Sequence, residues 1–409
     1  TSGSVSGGTD NISYFIGGTY RDEDGWIERT NLKRYSFKMN LEARLGNKWR
    51  AGLNLNPTRT VNNRQNEDNN VASPLTYAGL AFPTVNPFDE NGNTRGGVVR
   101  DDIGQVRFAG SPLSNIEGQD ISLTINQVLA STFVSFAPID GLTLRSQLGV
   151  QYQSQTDFQK SSTLTTDGFG SGGTAQAQNQ EVIGFTWDNT ANYVVDLNAR
   201  NTLDFLALVS FQRTEQNTLN VDGNTFADDR LLTLNSAAEI TGGGGFGTDY
   251  NFVGYMLRAG YAFDNKLFVN ASARLDGSSR FGTDNLYGLF PAISAAYDLS
   301  GDINSANVDQ LKLRASYGVT GNAGIGNFDS RGLVSFGNDY NMIPGFLLSQ
   351  LENTELTWEE AATFDVAIDF SLFNNKLSGS LGYYNRTSSE LLLDLPQPLT
   401  TGIGTTTAT

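Results

Sequence analysis

The residues of this chain able to do chemistry are carboxylates, arginines and aromatics, because the sequence contains no histidine and no cysteine. Without those two residue types, Ser-His-Asp and Cys-His catalysis and His- or Cys-ligated zinc are excluded. Carboxylate pairs remain. Asp22, Glu23 and Asp24 in one polar stretch, and Asp101-Asp102 in another, are the groups that glycoside hydrolysis would use. Clusters of this kind in loops are more simply solvated surface, and the chain is read as having no catalytic residue. Asp89-Glu90-Asn91-Gly92-Asn93 begins like a calcium loop, but Arg100 stands at the twelfth position, where a bidentate glutamate belongs. A turn at Asn91-Gly92 is the better reading. The runs Gly242 to Gly245 and Gly321 to Gly326 do not open helices after strands, so they read as loop slack and not as phosphate cradles. No metal or cofactor is expected.

A sugar site stacks rings on aromatics and reads hydroxyls with Asp, Asn and Arg, whereas a peptide site hydrogen-bonds an extended backbone. Trp26, Tyr77, Phe88, Phe246 and Tyr340 stand near Asp22, Asp24, Asn86, Asp89, Asp249, Asn338 and Asp339 in the sequence. That mixture suits an oligosaccharide slightly better than an oligopeptide. With 27 Lys and Arg against 43 Asp and Glu the net charge is -16, which disfavours a nucleic-acid partner and argues mildly against anionic glycans.

The elements that must position these residues are strands. From Leu267 to Leu275 the residues Leu267, Val269, Ala271, Ala273 and Leu275 are apolar, and the alternate set Phe268, Asn270, Ser272, Arg274 and Asp276 is mostly polar. Ile293, Ala295, Tyr297 and Leu299 repeat the pattern. Similar segments recur at Asn11–Tyr20, Lys33–Leu45, Lys48–Pro57, Ile121–Ala137, Leu142–Thr156, Glu181–Val195, Asn201–Arg213, Asn251–Phe263, Gln310–Thr320, Trp358–Leu372 and Lys376–Ser389, making about 13 strands. Connections alternate between short turns, such as Gly46-Asn47, Asp264-Asn265 and Asn374-Asn375, and the long stretches Thr58–Asp120, Asp157–Gln180, Thr214–Tyr250 and Gly321–Thr357. That parity, with strands longer than the soluble mode of about 5 to 6 residues, fits an outer-membrane barrel better than a soluble sandwich. No apolar run of about 18 residues offers a transmembrane helix.

The run LDGSSRFGTDNLYGLFPAISAAYDLS, followed by LKLRASYGVTGNAGIGNF, resembles the barrel of SusC/RagA-type TonB-dependent transporters. The resemblance extends to SVSGGTDNISYFIGGTYRDEDGWI, KRYSFKMNLEARLGNKWRAGLNLN and LTWEEAATFDVAIDFSLFNNKLSGSLGYYNRTSSELLL. It implies an all-β, antiparallel transmembrane β-barrel of about 22 strands with a plugged lumen, of which residues 1–409 are one segment. The N-terminal plug and the C-terminal closing strands are expected outside this segment.

The same resemblance implies TonB-driven import of oligosaccharides or oligopeptides across a Bacteroidetes outer membrane. The partners it implies are outer-membrane lipid, a SusD-like surface lipoprotein and the TonB complex, the last reached through the missing N-terminal part. A passive porin-like channel and a secreted β-rich adhesin are the competing classes. On the barrel reading Arg274, Asp276, Arg280, Lys312 and Arg314 face the lumen. There they either steer substrate or form an ion network that holds the wall, and the network is preferred. Trp26, Arg274, Asp276, Arg280, Arg314 and Tyr340 are the candidate substrate or lumen residues.

Overall fold

The computed structural model describes residues 1–66, 73–80, 86–96, 99–100, 106–107, 111–303 and 307–408. Asp101-Asp102 lies outside the described residues. Fourteen strands form one antiparallel sheet in which sequence neighbours are spatial neighbours throughout. They are β1 (Ser2–Gly8), β2 (Ile12–Asp24), β3 (Asn31–Leu45), β4 (Trp49–Arg64), β5 (Gln119–Phe136), β6 (Leu142–Ser161) and β7 (Thr174–Asn198). The series continues with β8 (Asn201–Phe226), β9 (Ala237–Phe263), β10 (Leu267–Ser278), β11 (Tyr287–Asp298), β12 (Val308–Asn322), β13 (Glu359–Leu372) and β14 (Leu377–Ser389). β1 and β14 are the two edges of this open wall.

The shortest turns lie on one rim, together with the nine-residue link between β11 and β12, and the longest connections lie on the other. Turn chemistry explains the short ones. Asp264 and Asn265, in the three-residue connection 264–266, both take positive φ, at 52° and 54°, a region that Asp and Asn tolerate best after glycine. Neighbouring turns are stitched together: Arg200 forks onto the Asp264 carboxylate at 3.0 and 3.1 Å, and Lys266 pairs with Asp302.

The long rim holds a buried hydrophobic cluster. Phe281, Phe290, Leu356 and Trp358 pack into a buried cluster, with Leu356 fully enclosed. The Trp358 ring lies 4.8 Å from Phe281 and 5.4 Å from Phe290, and its indole N–H donates to the Leu286 carbonyl at 3.2 Å. This cluster ties the connection 323–358 to the start of β11. A second tie is polar. Lys160, buried at the outer end of β6, donates to the Asp229 carbonyl at 2.6 Å and to that of Leu231, while the Asp229 carboxylate accepts from the Thr163 N–H at 2.9 Å.

Several expectations change. The wall has one strand more than the sequence suggests: the Gly/Ser-rich start forms β1, pairing Val5 with Ile16. The stretch Thr214–Tyr250 is mostly strand and not loop, since β8 and β9 run on together as far as Phe226 and Ala237. Gly242 to Gly245 is therefore no slack: it pairs with Asp222 to Leu219. Glycine is a poor strand former alone, but here the partner strand supplies the hydrogen bonds and lays side chains over the bare backbone. A Cβ on Gly245 would meet Leu219 Cδ2 at 2.6 Å. β6 and β7 likewise extend into Asp157–Gln180, and a short helix, Thr166–Phe169, lies between them. The stretch Thr58–Asp120 contains the end of β4 and two seven-residue helices, α1 (Pro74–Leu80) and α2 (Pro112–Gly118), the latter capped by Ser111 Oγ, which accepts from the Leu113 N–H. Gly321–Thr357 contains a separate hairpin, Leu333–Tyr340 with Ile343–Gln350.

Candidate functional site

The site is the wall itself, and register decides which side chains share a face. Leu267, Val269, Ala271, Ala273 and Leu275 of β10 stand opposite Phe263, Tyr261, Ala259, Leu257 and Tyr255 of β9 and Tyr297, Ala295, Ile293, Pro291 and Leu289 of β11. The row continues through Leu313, Ala315 and Tyr317 to Ile368, Val366 and Phe364. These side chains are exposed on one continuous apolar face: Leu257 is 68% accessible, Leu289 58% and Leu381 70%. An apolar surface far beyond a few hundred Å² marks a face meant for another apolar phase. Aromatics collect near its margins, with Trp49 stacked on Phe136 at 4.2 Å near the short turns and Tyr20 against Tyr35 at 5.1 Å near the long connections.

The opposite face is polar, and several of its charges are paired. Arg274 Nε donates to both Asp276 oxygens at 2.8 and 2.7 Å. Arg314 reaches Asp369 at 2.9 Å and Ser380 at 3.4 Å. Sequence reasoning missed two further contacts, Arg258 with Asp204 at 2.6 Å and Ser210 with Asp188 at 2.6 Å. The same alternation that placed Arg274 would have found them, applied to β8 and β9. From β4 to β8 the middle of this face is amide-rich, with Asn54, Asn56, Gln127, Gln151, Gln153, Gln212 and Thr214, and charges such as Arg64–Asp157 and Asp204 lie towards its two ends. Asn54 donates to Ser131 at 3.2 Å, and Gln127 to Gln153 at 3.5 Å.

The candidate residues do not form one cluster. Arg274 and Asp276 sit on the polar face near the long rim. Arg314 lies about six residues nearer the short turns, roughly 20 Å at about 3.3 Å per residue. Arg280 caps the outer core: its guanidinium lies 4.0 Å from the Tyr250 ring centroid and donates to Asn327 Oδ1 at 2.8 Å and the Ala323 carbonyl at 2.9 Å. Trp26 is 81% exposed in the connection between β2 and β3. Tyr340 ends the first strand of the separate hairpin, paired with Ile343.

Asp89 is a turn residue. Its Oδ1 accepts the N–H groups of Asn91 and Asn93, each at 2.8 Å, and those donors hold its carboxyl below the usual range, led by Asn93. Among the described residues no group of three acidic side chains is placed to hold a metal.

A single antiparallel layer, apolar on one side, polar and ion-paired on the other, with short turns at one rim and long connections at the other, is the wall of a membrane-spanning β-barrel. The chain belongs to the TonB-dependent receptor-like β-barrel family, whose model matches residues 58–409, and within that family it is of the SusC/RagA type. It is 27% identical over 98% of its length to a TonB-dependent receptor of Formosa agariphila, of which it covers 40%. To the TonB-dependent receptor SusC of Bacteroides thetaiotaomicron it is 23% identical, over 97% of this chain and 42% of that protein. The chain thus spans less than half the length of these relatives. The RagAB peptide transporter superposes with a TM-score of 0.86 at 26% identity, covering 99% of this chain and 46% of that one. The Pseudomonas aeruginosa pyoverdine receptor FpvA, at 0.57 and 12%, shares the fold alone. These relatives are receptors and transporters, not enzymes.

Proposed function

We propose that the protein is an outer-membrane importer of neutral polar oligomers, oligosaccharides first, driven by TonB. The observation that carries this reading is the middle of the polar face from β4 to β8, where amides and hydroxyls predominate and can exchange hydrogen bonds with an uncharged hydrophilic chain. Arg274–Asp276, Arg258–Asp204 and Arg314–Asp369 stiffen the wall beside it. An oligopeptide is the second reading, favoured by the likeness to a peptide transporter.

A lid lipoprotein of SusD type is the proposed partner, and the separate hairpin suits its contact. Phe336, Met342, Ile343 and Phe346 there are all exposed, Met342 by 90%. The plug and TonB-recruiting segment are proposed to come from the remainder of the protein. Uptake of defined oligosaccharides and oligopeptides should be measured in cells with and without TonB, and in a strain lacking this protein. Loss of oligosaccharide uptake in both backgrounds is expected. Uptake unchanged without TonB would make the protein a passive channel, and loss confined to peptides would replace the substrate.

A further inference from the structure

One groove in the apolar face has a cation at its edge. Near the long rim this groove of about 800 Å³ crosses β1 to β5, lined by Gly3, Gly18, Phe37, Pro57 and Val128, with Tyr20, Tyr35 and Arg59 along its outer edge. Its cause is local. Gly3 and Gly18 are opposite one another and bring no side chain, and a Cβ at Gly18 would meet nothing closer than the Ser36 carbonyl at 3.9 Å. Packing therefore does not require glycine there. Bare backbone in a strand interior is where another molecule can approach closely. Pro57, which has no N–H to give, lies where the β3–β4 ladder breaks between Ser36–Thr58 and Met39–Leu55.

The register orders the surroundings. One row inward lie Ile16, Met39, Leu55 and Ala130, all apolar. One row outward lie Tyr20, Tyr35, Arg59 and Asn126. Arg59 donates only to the neutral Asn126 Oδ1, at 3.1 Å, and has no ion pair among the described residues. Arg258, Arg274 and Arg314, on the polar face, are all paired. Lys33 stands one row further out, diagonal to Arg59, while the neighbouring Asp22 takes the Tyr20 hydroxyl at 2.5 Å. In an acidic chain this is a cation held at the level of the membrane interface, directly above an apolar trough.

We propose that the groove seats an acyl chain of a phosphorylated outer-leaflet lipid, with Arg59, helped by Lys33, holding the phosphate. The trough continues the hydrocarbon-facing band, and the charge is complementary to a lipid phosphate. A membrane lipid reaches both together.

The full-length protein should be placed in phosphatidylcholine vesicles containing a minor fraction of chain-spin-labelled phosphatidic acid, and the selectivity for the labelled lipid read from its immobilised fraction. Losing a charge-assisted contact is expected to cut the association constant about tenfold in Arg59→Gln. Gly18→Leu, which fills the trough and leaves the cation, should cut it similarly, and Arg59→Lys should retain most of it. Inorganic phosphate should not displace the lipid. Wild-type selectivity equal to that of both variants would overturn the proposal. So would loss in Arg59→Gln alone, which would leave a phosphate contact without an acyl seat, or displacement by inorganic phosphate. Should Arg59→Gln fail to fold, the Gly18→Leu result decides.

Discussion

Placing one arginine at the middle of the apolar band separates a lipid-facing wall from every soluble alternative. On β9 the apolar face runs from Val253 to Phe263, between Asp249 beyond one end and Asp264 at the other. Ten steps of about 3.4 Å give about 34 Å along the strand, and a tilt of about 40–45° reduces this to a height of about 25 Å, the expected thickness of the band. Leu257 lies four steps from one end and six from the other, close to the midplane, and is 68% exposed. Leu257→Arg should therefore lower folding stability in lipid by about 2–4 kcal/mol. Leu45→Arg, at the inner end of β3, should cost about 1 kcal/mol or less. Gln151→Arg, on the polar face beside Leu129 and Gly184, should change little. Reversible urea unfolding of the full-length protein in vesicles measures all three. A cost at Gln151 equal to or above that at Leu257 would refute the assignment of faces, and an equal cost at Leu45 and Leu257 would refute the assignment of depth.

Two further outcomes follow from the rims. Leu356→Ala empties the centre of the cluster with Phe281, Phe290 and Trp358, so about 3 kcal/mol should be lost. Because that cluster joins the connections 279–286 and 323–358 at the start of β11, hydrogen exchange should accelerate there and leave β4 to β8 unchanged. At the opposite rim the Lys266 hydrogen bond holds the Asp302 carboxyl below its usual range, and Asp302 in turn raises the Lys266 ammonium. The carboxylate's contribution is present above about pH 4 and fades as pH falls through its lowered value, while the ammonium's is present below about pH 10.4 and fades as pH rises through its raised value. Hydrogen exchange in the link 299–303 should accelerate at both extremes in the wild type, and Asp302→Asn should remove that pH dependence.

The wall was legible in the sequence because membrane barrels write both faces into one strand. Leu267 to Leu275 and Phe364 to Ile368 alternate so regularly that register, face and turn parity follow from residue types. The outer strand extensions were not legible, since beyond the hydrocarbon both faces meet water and alternation loses its meaning. There Thr214 to Tyr250 is polar and glycine-rich, and only the ladder between β8 and β9 makes it strand. The polar-face ion pairs were half visible. Arg274–Asp276 is an i, i+2 pair on one strand, whereas Arg258–Asp204 needs the register between two. Arg280 was placed on the lumen by extending the strand parity past the end of β10, and its partners Tyr250 and Asn327 come from β9 and a distant connection.

The four tryptophans occupy four environments and test the central claim together. Trp187 is 51% exposed within the apolar band, Trp26 stands in an outer connection, Trp49 lies at the margin near the short turns, and Trp358 is buried in the outer core. Fluorescence of single-tryptophan variants of the full-length protein should be measured in vesicles against bromine-labelled acyl chains and against aqueous iodide. Bromine should quench Trp187 strongly and Trp49 partly, iodide should quench Trp26, and Trp358 should resist both. A Trp187 quenched by iodide as readily as Trp26, and untouched by bromine, would contradict a wall whose apolar face meets lipid.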